Sequence, residues 1–139
     1  MDSEIKHFEA KLRNFQSTPN GVRWEAVIFS SEFNRNAYYF DIYKLLRWKN
    51  RLNAILFNNK HDGKYFSYTT DKLLDIKVST DDNGITECYA IIESTNPEKR
   101  ANPEMVTGFS IEISVKPENV IKNENGEFYT DFEWVGIAY

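Results

Sequence analysis

Gly108-Phe109-Ser110-Ile111-Glu112-Ile113-Ser114-Val115 alternates apolar and polar side chains along its whole length. Alternation at period two is the signature of a β-strand, so Phe109, Ile111, Ile113 and Val115 belong to one face and Ser110, Glu112 and Ser114 to the other. The polar face is expected to look outward and to leave the Ser110 hydroxyl accessible. Upstream, Asn59-Lys60-His61-Asp62-Gly63 has the composition of a turn and follows the apolar run Ile55-Leu56-Phe57. A serine fixed on a strand and an imidazole at a neighbouring strand end are what nucleophilic acyl transfer needs, because the hydroxyl attacks only as a positioned base removes its proton.

Outward from this stretch the chain reads mostly as strands. Val22 to Phe29 is rich in branched and aromatic residues, and Ala54 to Asn58, Tyr65 to Thr70, Leu73 to Ser79 and Ile85 to Glu93 follow, separated by turn signals. Asn83-Gly84 predicts a tight type I′ hairpin, whose two central residues need positive φ. Asn125-Gly126 predicts a second hairpin leading into Glu127 to Tyr139. That last segment is apolar on both faces and is therefore expected to be a central strand. The two prolines and several charges of Asn96 to Pro103 predict a surface loop, with a short helix after Pro103 left open. Two helices are expected. In one, spanning residues 1–16, Ile5, Phe8, Leu12 and Phe15 recur every three or four residues. In the other, Asp41 caps a segment with Ile42, Leu45, Leu46, Lys49 and Leu52 on one side. With no repeat or low-complexity tract, residues 1–139 form a single domain, mainly β, pictured as a closed or nearly closed barrel flanked by helices.

Composition narrows the function classes. With 139 residues, 41% hydrophobic and 15% aromatic, the chain can bury one substantial core. A net charge of -4 with no basic stripe argues against a nucleic-acid module, which needs clustered Lys and Arg. One cysteine excludes an internal disulfide and suits a reducing compartment; with two histidines there is no zinc-ligand cluster, and no cofactor is expected. No stretch has the apolar length of a membrane span or of a signal-peptide core, so a soluble protein is expected.

Each candidate residue also has an ordinary explanation. An outward serine on a strand is usually a solvated surface residue, and His61-Asp62-Gly63 suits a plain hairpin turn. Glu133 shares its expected strand face with Val135, Ile137 and Tyr139, and a carboxylate among apolar neighbours needs a partner; otherwise it is an exposed strand end or a salt bridge. Cys88 reads as a small core residue with no base beside it. Gly108-Phe109-Ser110-Ile111-Glu112 lacks the second glycine of the G-x-S-x-G elbow, and no alternating βα pattern is present, which argues against an α/β-hydrolase.

From about Gly21 to Tyr139 the chain resembles the prohead, or capsid maturation, proteases of tailed bacteriophages, distant relatives of the herpesvirus assembly proteases. Three segments carry the resemblance: Ile55-Leu56-Phe57-Asn58-Asn59-Lys60-His61-Asp62, Gly108-Phe109-Ser110-Ile111, and Asp131-Phe132-Glu133-Trp134-Val135-Gly136-Ile137-Ala138. They follow the family's order of His, Ser and acid. The resemblance implies a Greek-key-like, herpesvirus-protease-like barrel and a serine endopeptidase in which Ser110 is the nucleophile, His61 the general base and Glu133 the carboxylate that orients the imidazole. Asp62 competes for the third role, but adjacent side chains rarely orient one another's rings. Where the family continues with Gly and an aromatic residue after Ser-Ile, this chain has Glu112-Ile113, a carboxylate two residues along the face of the serine. The implied substrates are scaffold and major capsid proteins and the enzyme itself, with self-association left open. The implied setting is the assembling procapsid in the host cytoplasm. A catalytically inactive scaffold or packaging element of the same fold is the alternative, and a binding module presenting Tyr38, Tyr39, Tyr65 and Tyr68 is a third.

Overall fold

Ile111, Ile113 and Val115 are buried to 1% exposure or less, as the alternation requires, but Glu112 and Ser110 on the opposite face are buried too, at 1% and 3%. The strand that decides the fold therefore lies inside the molecule on both faces. The Ser110 side expected to look outward does not. The structure, a computed structural model, describes residues 3–30, 40–58, 70–96, 110–124 and 126–138.

Ten strands and three short 3-10 helices are present among these residues. In chain order they are β1 (Glu4–Glu9), β2 (Lys11–Ser17), β3 (Val22–Ser30), η1 (Ile42–Asn50), η2 (Leu52–Ala54), β4 (Leu56–Asn58), β5 (Asp71–Thr80), β6 (Thr86–Ser94), β7 (Ser110–Val115), η3 (Pro117–Asn119), β8 (Val120–Asn123), β9 (Gly126–Tyr129) and β10 (Glu133–Ala138). The chain is mainly β. One sheet has the order β1-β7-β10-β4, a second β2-β3-β6-β5, and β8 with β9 makes a two-stranded ribbon. Pairing is antiparallel except between β10 and β4. Among the described residues neither four-stranded sheet closes on itself, so two open sheets replace the expected barrel. They share one core, to which β3 gives Trp24 and Ala26, β6 Ala90 and Ile92, β7 Ile111 and Ile113, and β10 Trp134 and Ile137.

The segment read as an N-terminal helix is two strands, β1 and β2, with Ala10 between them. The spacing of Ile5, Phe8, Leu12 and Phe15 does not mark one helical face. Phe8 and Leu12 pack on the core from different sheets, while Ile5 and Phe15 stay 42% and 40% exposed. Pairing along β7 and β3 outweighs a weak helical preference here. Asn14 takes φ 58, a conformation that asparagine tolerates, at the register shift between Arg13 and Gln16. Asp41 caps η1 as expected, its carboxylate accepting from Tyr43 N–H at 3.0 Å, although the helix is 3-10.

The hairpin at Asn83-Gly84 exists, but its turn is not type I′. Among the described residues Asn14 alone of the non-glycines has positive φ, so Asn83 does not. Gly84 N–H donates to the Asp81 carbonyl, Asp81 N–H donates to the Ile85 carbonyl, and the Asp81 carboxylate accepts from Asn83 and Ile85 N–H. This is a three-residue loop with Gly84 at the left-handed position. The stretch expected to run unbroken from Glu127 to Tyr139 divides into β9 and β10 around Thr130-Asp131-Phe132, and β10 is central as predicted. The strand expected at Tyr65 to Thr70 lies, apart from Thr70, outside the described residues. So do Pro97 to Pro103 of the predicted loop and Tyr38, Tyr39, Tyr65 and Tyr68.

Two glycines test different constraints. A Cβ on Gly21 would lie 1.9 Å from the Ser94 carbonyl oxygen, whereas Gly84 has φ +78 and nothing within 4 Å of its ideal Cβ. Backbone at the β3–β6 junction cannot move aside cheaply, so Gly21→Ala is expected to lose at least about 2 kcal/mol. Gly84→Ala should lose about 1 kcal/mol through its dihedral alone. Urea midpoints of the two variants check this, and equal small losses would remove the steric account of Gly21.

Candidate functional site

Register across the first sheet assembles the candidate site. One row runs Glu9, Ser110, Ala138, Asn58; two residues along, a parallel row runs His7, Glu112, Gly136, Leu56. Partners in a ladder share a face, so Ser110, Glu112, His7 and Glu9 lie on the same side of the sheet. Ser110 and Glu112 are held by the central strand β7, with β1 on one flank and β10 on the other.

Glu112 is the chemically unusual residue. A carboxyl group at 1% exposure needs a polar partner, and His7 Nδ1 lies 3.3 Å from its Oε2. The imidazole is 41% exposed, so this pair joins the buried interior to the surface. Nδ1 is the ring nitrogen that faces the carboxyl group, and Nε2 lies on the other side of the ring. The expectation of an N-terminal helix hid His7. The signal that could have exposed it was Glu112 itself, an acid on a strand that must be buried on its other face.

The three residues named from the sequence are not all brought together. Ser110 opens β7. His61 lies outside the described residues; the strand before it, β4, ends at Asn58 in the row of Ser110. Glu133 pairs with Ser114, four residues along β7 from Ser110, or about 13 Å at the usual strand rise. It is exposed. A register shift between Trp134 and Gly136 changes the side-chain parity of β10, so Trp134 and Ile137 are buried while Glu133 is not. The ladder does not bring Glu133 to Ser110. Glu9 and Glu112 are the carboxylates it puts next to that serine.

Glu133 instead lines a separate cavity of about 330 Å³, with Arg47, Trp48, Ser114, Lys116 and Asp131. Arg47 stacks over Trp48 at 4.9 Å and bonds Asp131 at 3.0 Å. Hydrogen bonds from Arg47 and from Phe132 N–H hold the Asp131 carboxyl below its ordinary value, keeping the pair charged.

Cys88 supplies no nucleophile. Burial pushes its thiol up to about 12, so the thiolate is scarce at any ordinary pH. Iodoacetamide at pH 8 is expected to leave Cys88 unmodified in the folded protein and to alkylate it rapidly in urea. Mass spectrometry before and after unfolding reads the result, and fast alkylation of the folded chain would contradict it. Among the described residues no group of three or more His, Cys, Asp and Glu side chains could hold a metal ion.

Compared with known proteins, the chain matches no family model, no curated protein and no solved structure.

Proposed function

We propose that this chain is a serine endopeptidase of phage capsid maturation, with Ser110 as its nucleophile and the Greek-key-like, herpesvirus-protease-like arrangement that the sequence resemblance implies. One observation carries the reading. Asn58 and Ser110 flank the same residue, Ala138, in one row of the sheet. Their backbones are therefore two strand spacings apart, about 10 Å, and His61 follows Asn58 by three residues. The resemblance needs the strand before the histidine and the strand of the serine to meet at one sheet end, and this row supports that.

The chemistry follows from the parts. Ser110 Oγ adds to the carbonyl carbon of a scaffold or capsid-protein bond as an imidazole takes its proton, and the same imidazole then protonates the departing amine. Water repeats the sequence on the acyl-enzyme and regenerates the serine. Self-cleavage, action inside the assembling procapsid in the host cytoplasm and independence of a cofactor belong to the same reading. Two observations favour the second reading, an inactive protease-fold scaffold: Ser110 is only 3% exposed, and Glu133 stands opposite Ser114 rather than Ser110.

The test pairs wild type with Ser110→Ala, both verified as folded, and measures processing of the cognate scaffold protein together with labelling by a serine-directed fluorophosphonate. The expected result is loss of both signals in the variant, with processing reduced by several orders of magnitude. Equal processing by the two proteins would exclude Ser110. A folded wild type that neither cleaves nor labels would favour the scaffold.

A further inference from the structure

We propose that His7 on β1 and Glu112 on β7 form a base and an orienting carboxylate that serve Ser110. The proposal rests on the reading of Ser110 as nucleophile.

Three observations support it. Ser110, Glu112 and His7 share one face of the sheet, His7 directly opposite Glu112 and diagonal to Ser110. The contact between His7 Nδ1 and Glu112 Oε2, at 3.3 Å, orients the ring from one side. Glu112 is fully buried and fixed on a central strand, whereas the imidazole it holds is 41% exposed and can meet a substrate. The backbone spacing puts the three within reach of one another: positions two apart on a strand are separated by about 6.5 to 7 Å and diagonal neighbours across an antiparallel pair by about 7 to 8 Å, a distance that a long or ring side chain spans.

In the step itself, the Ser110 Oγ–H bond breaks as Oγ bonds to the carbonyl carbon, and the proton passes to His7 Nε2. Glu112 stays ionised and steadies the imidazolium. The proton then goes to the leaving amine as the C–N bond breaks. With a fluorophosphonate, Oγ bonds to phosphorus and fluoride leaves.

A purely structural role for His7, neutralising a buried carboxylate, makes a different prediction from a base. His7→Gln keeps an amide donor for Glu112 but cannot take up a proton. The rate of fluorophosphonate labelling is expected to fall at least 100-fold in His7→Gln, with an unchanged melting temperature. Labelling of His7→Gln at the wild-type rate, while Ser110→Ala does not label, would overturn the proposal and leave Ser110 as nucleophile. Labelling of Ser110→Ala like wild type would instead remove the nucleophile reading itself, and this proposal with it. A readout independent of turnover uses ring-¹⁵N histidine: Ser110→Ala should shift the Nε2 resonance of His7, and an unmoved resonance would also overturn the assignment.

Discussion

A carboxylate in the middle of a buried strand is the constraint around which the first sheet is arranged. Burying such a group costs free energy unless a polar partner meets it. One partner of Glu112 is His7, directly opposite on β1. The ladder that delivers His7 also commits residues 4–9 to an extended conformation, and β2 then continues into the second sheet. The buried acid, the extended N-terminal segment and the link between the sheets are thus physically coupled.

This coupling explains what was legible in the sequence and what was not. β3, β5, β6 and β7 were readable because each carries a dense run of branched or aromatic residues bounded by turn chemistry. The Asp41 cap was readable because it is local. The N-terminal strands were not, because apolar residues every three or four positions fit a helix face as well as a chain that feeds two sheets in succession. The outward orientation assigned to Ser110 failed for a related reason. Period two separates the faces of a strand, but what lies over each face is decided by other parts of the chain. The same limit applies at Glu133, where one register shift in β10 reverses the expected burial.

Short motifs fix the order of residues along the chain, whereas register fixes which of them meet. The described residues of the three segments that carry the resemblance, 55–58, 110–111 and 131–138, fall on or beside strands of one sheet. Within that sheet, Ser110 and the end of β4 share a row, and Glu133 occupies a row about 13 Å away. Sharing a sheet is therefore not sharing a site. Glu112 lies two residues along β7 from Ser110, on the same face of the strand and opposite His7.

The rigidity of such a cluster would be unequal among its members. Among the described residues, Ser110 and Glu112 sit on β7, which is bonded on both flanks, while His7 is on β1 at the edge of the sheet. An edge strand opens more readily than a central one, so the imidazole depends on contacts outside the ladder. Phe8, the next residue, supplies one set: its ring meets Phe40 edge-on at 5.2 Å and Tyr129 at 6.2 Å. Lys6, on the other side of His7, lies 3.5 Å from Glu127, whose carboxylate also accepts from the Tyr129 hydroxyl at 3.1 Å. Tyr129 and Glu127 belong to β9, so the small β8–β9 ribbon braces β1 from the face opposite His7. Alternation makes this arrangement natural: Lys6 and Phe8 turn toward the ribbon and the core, and the residue between them must turn toward Glu112.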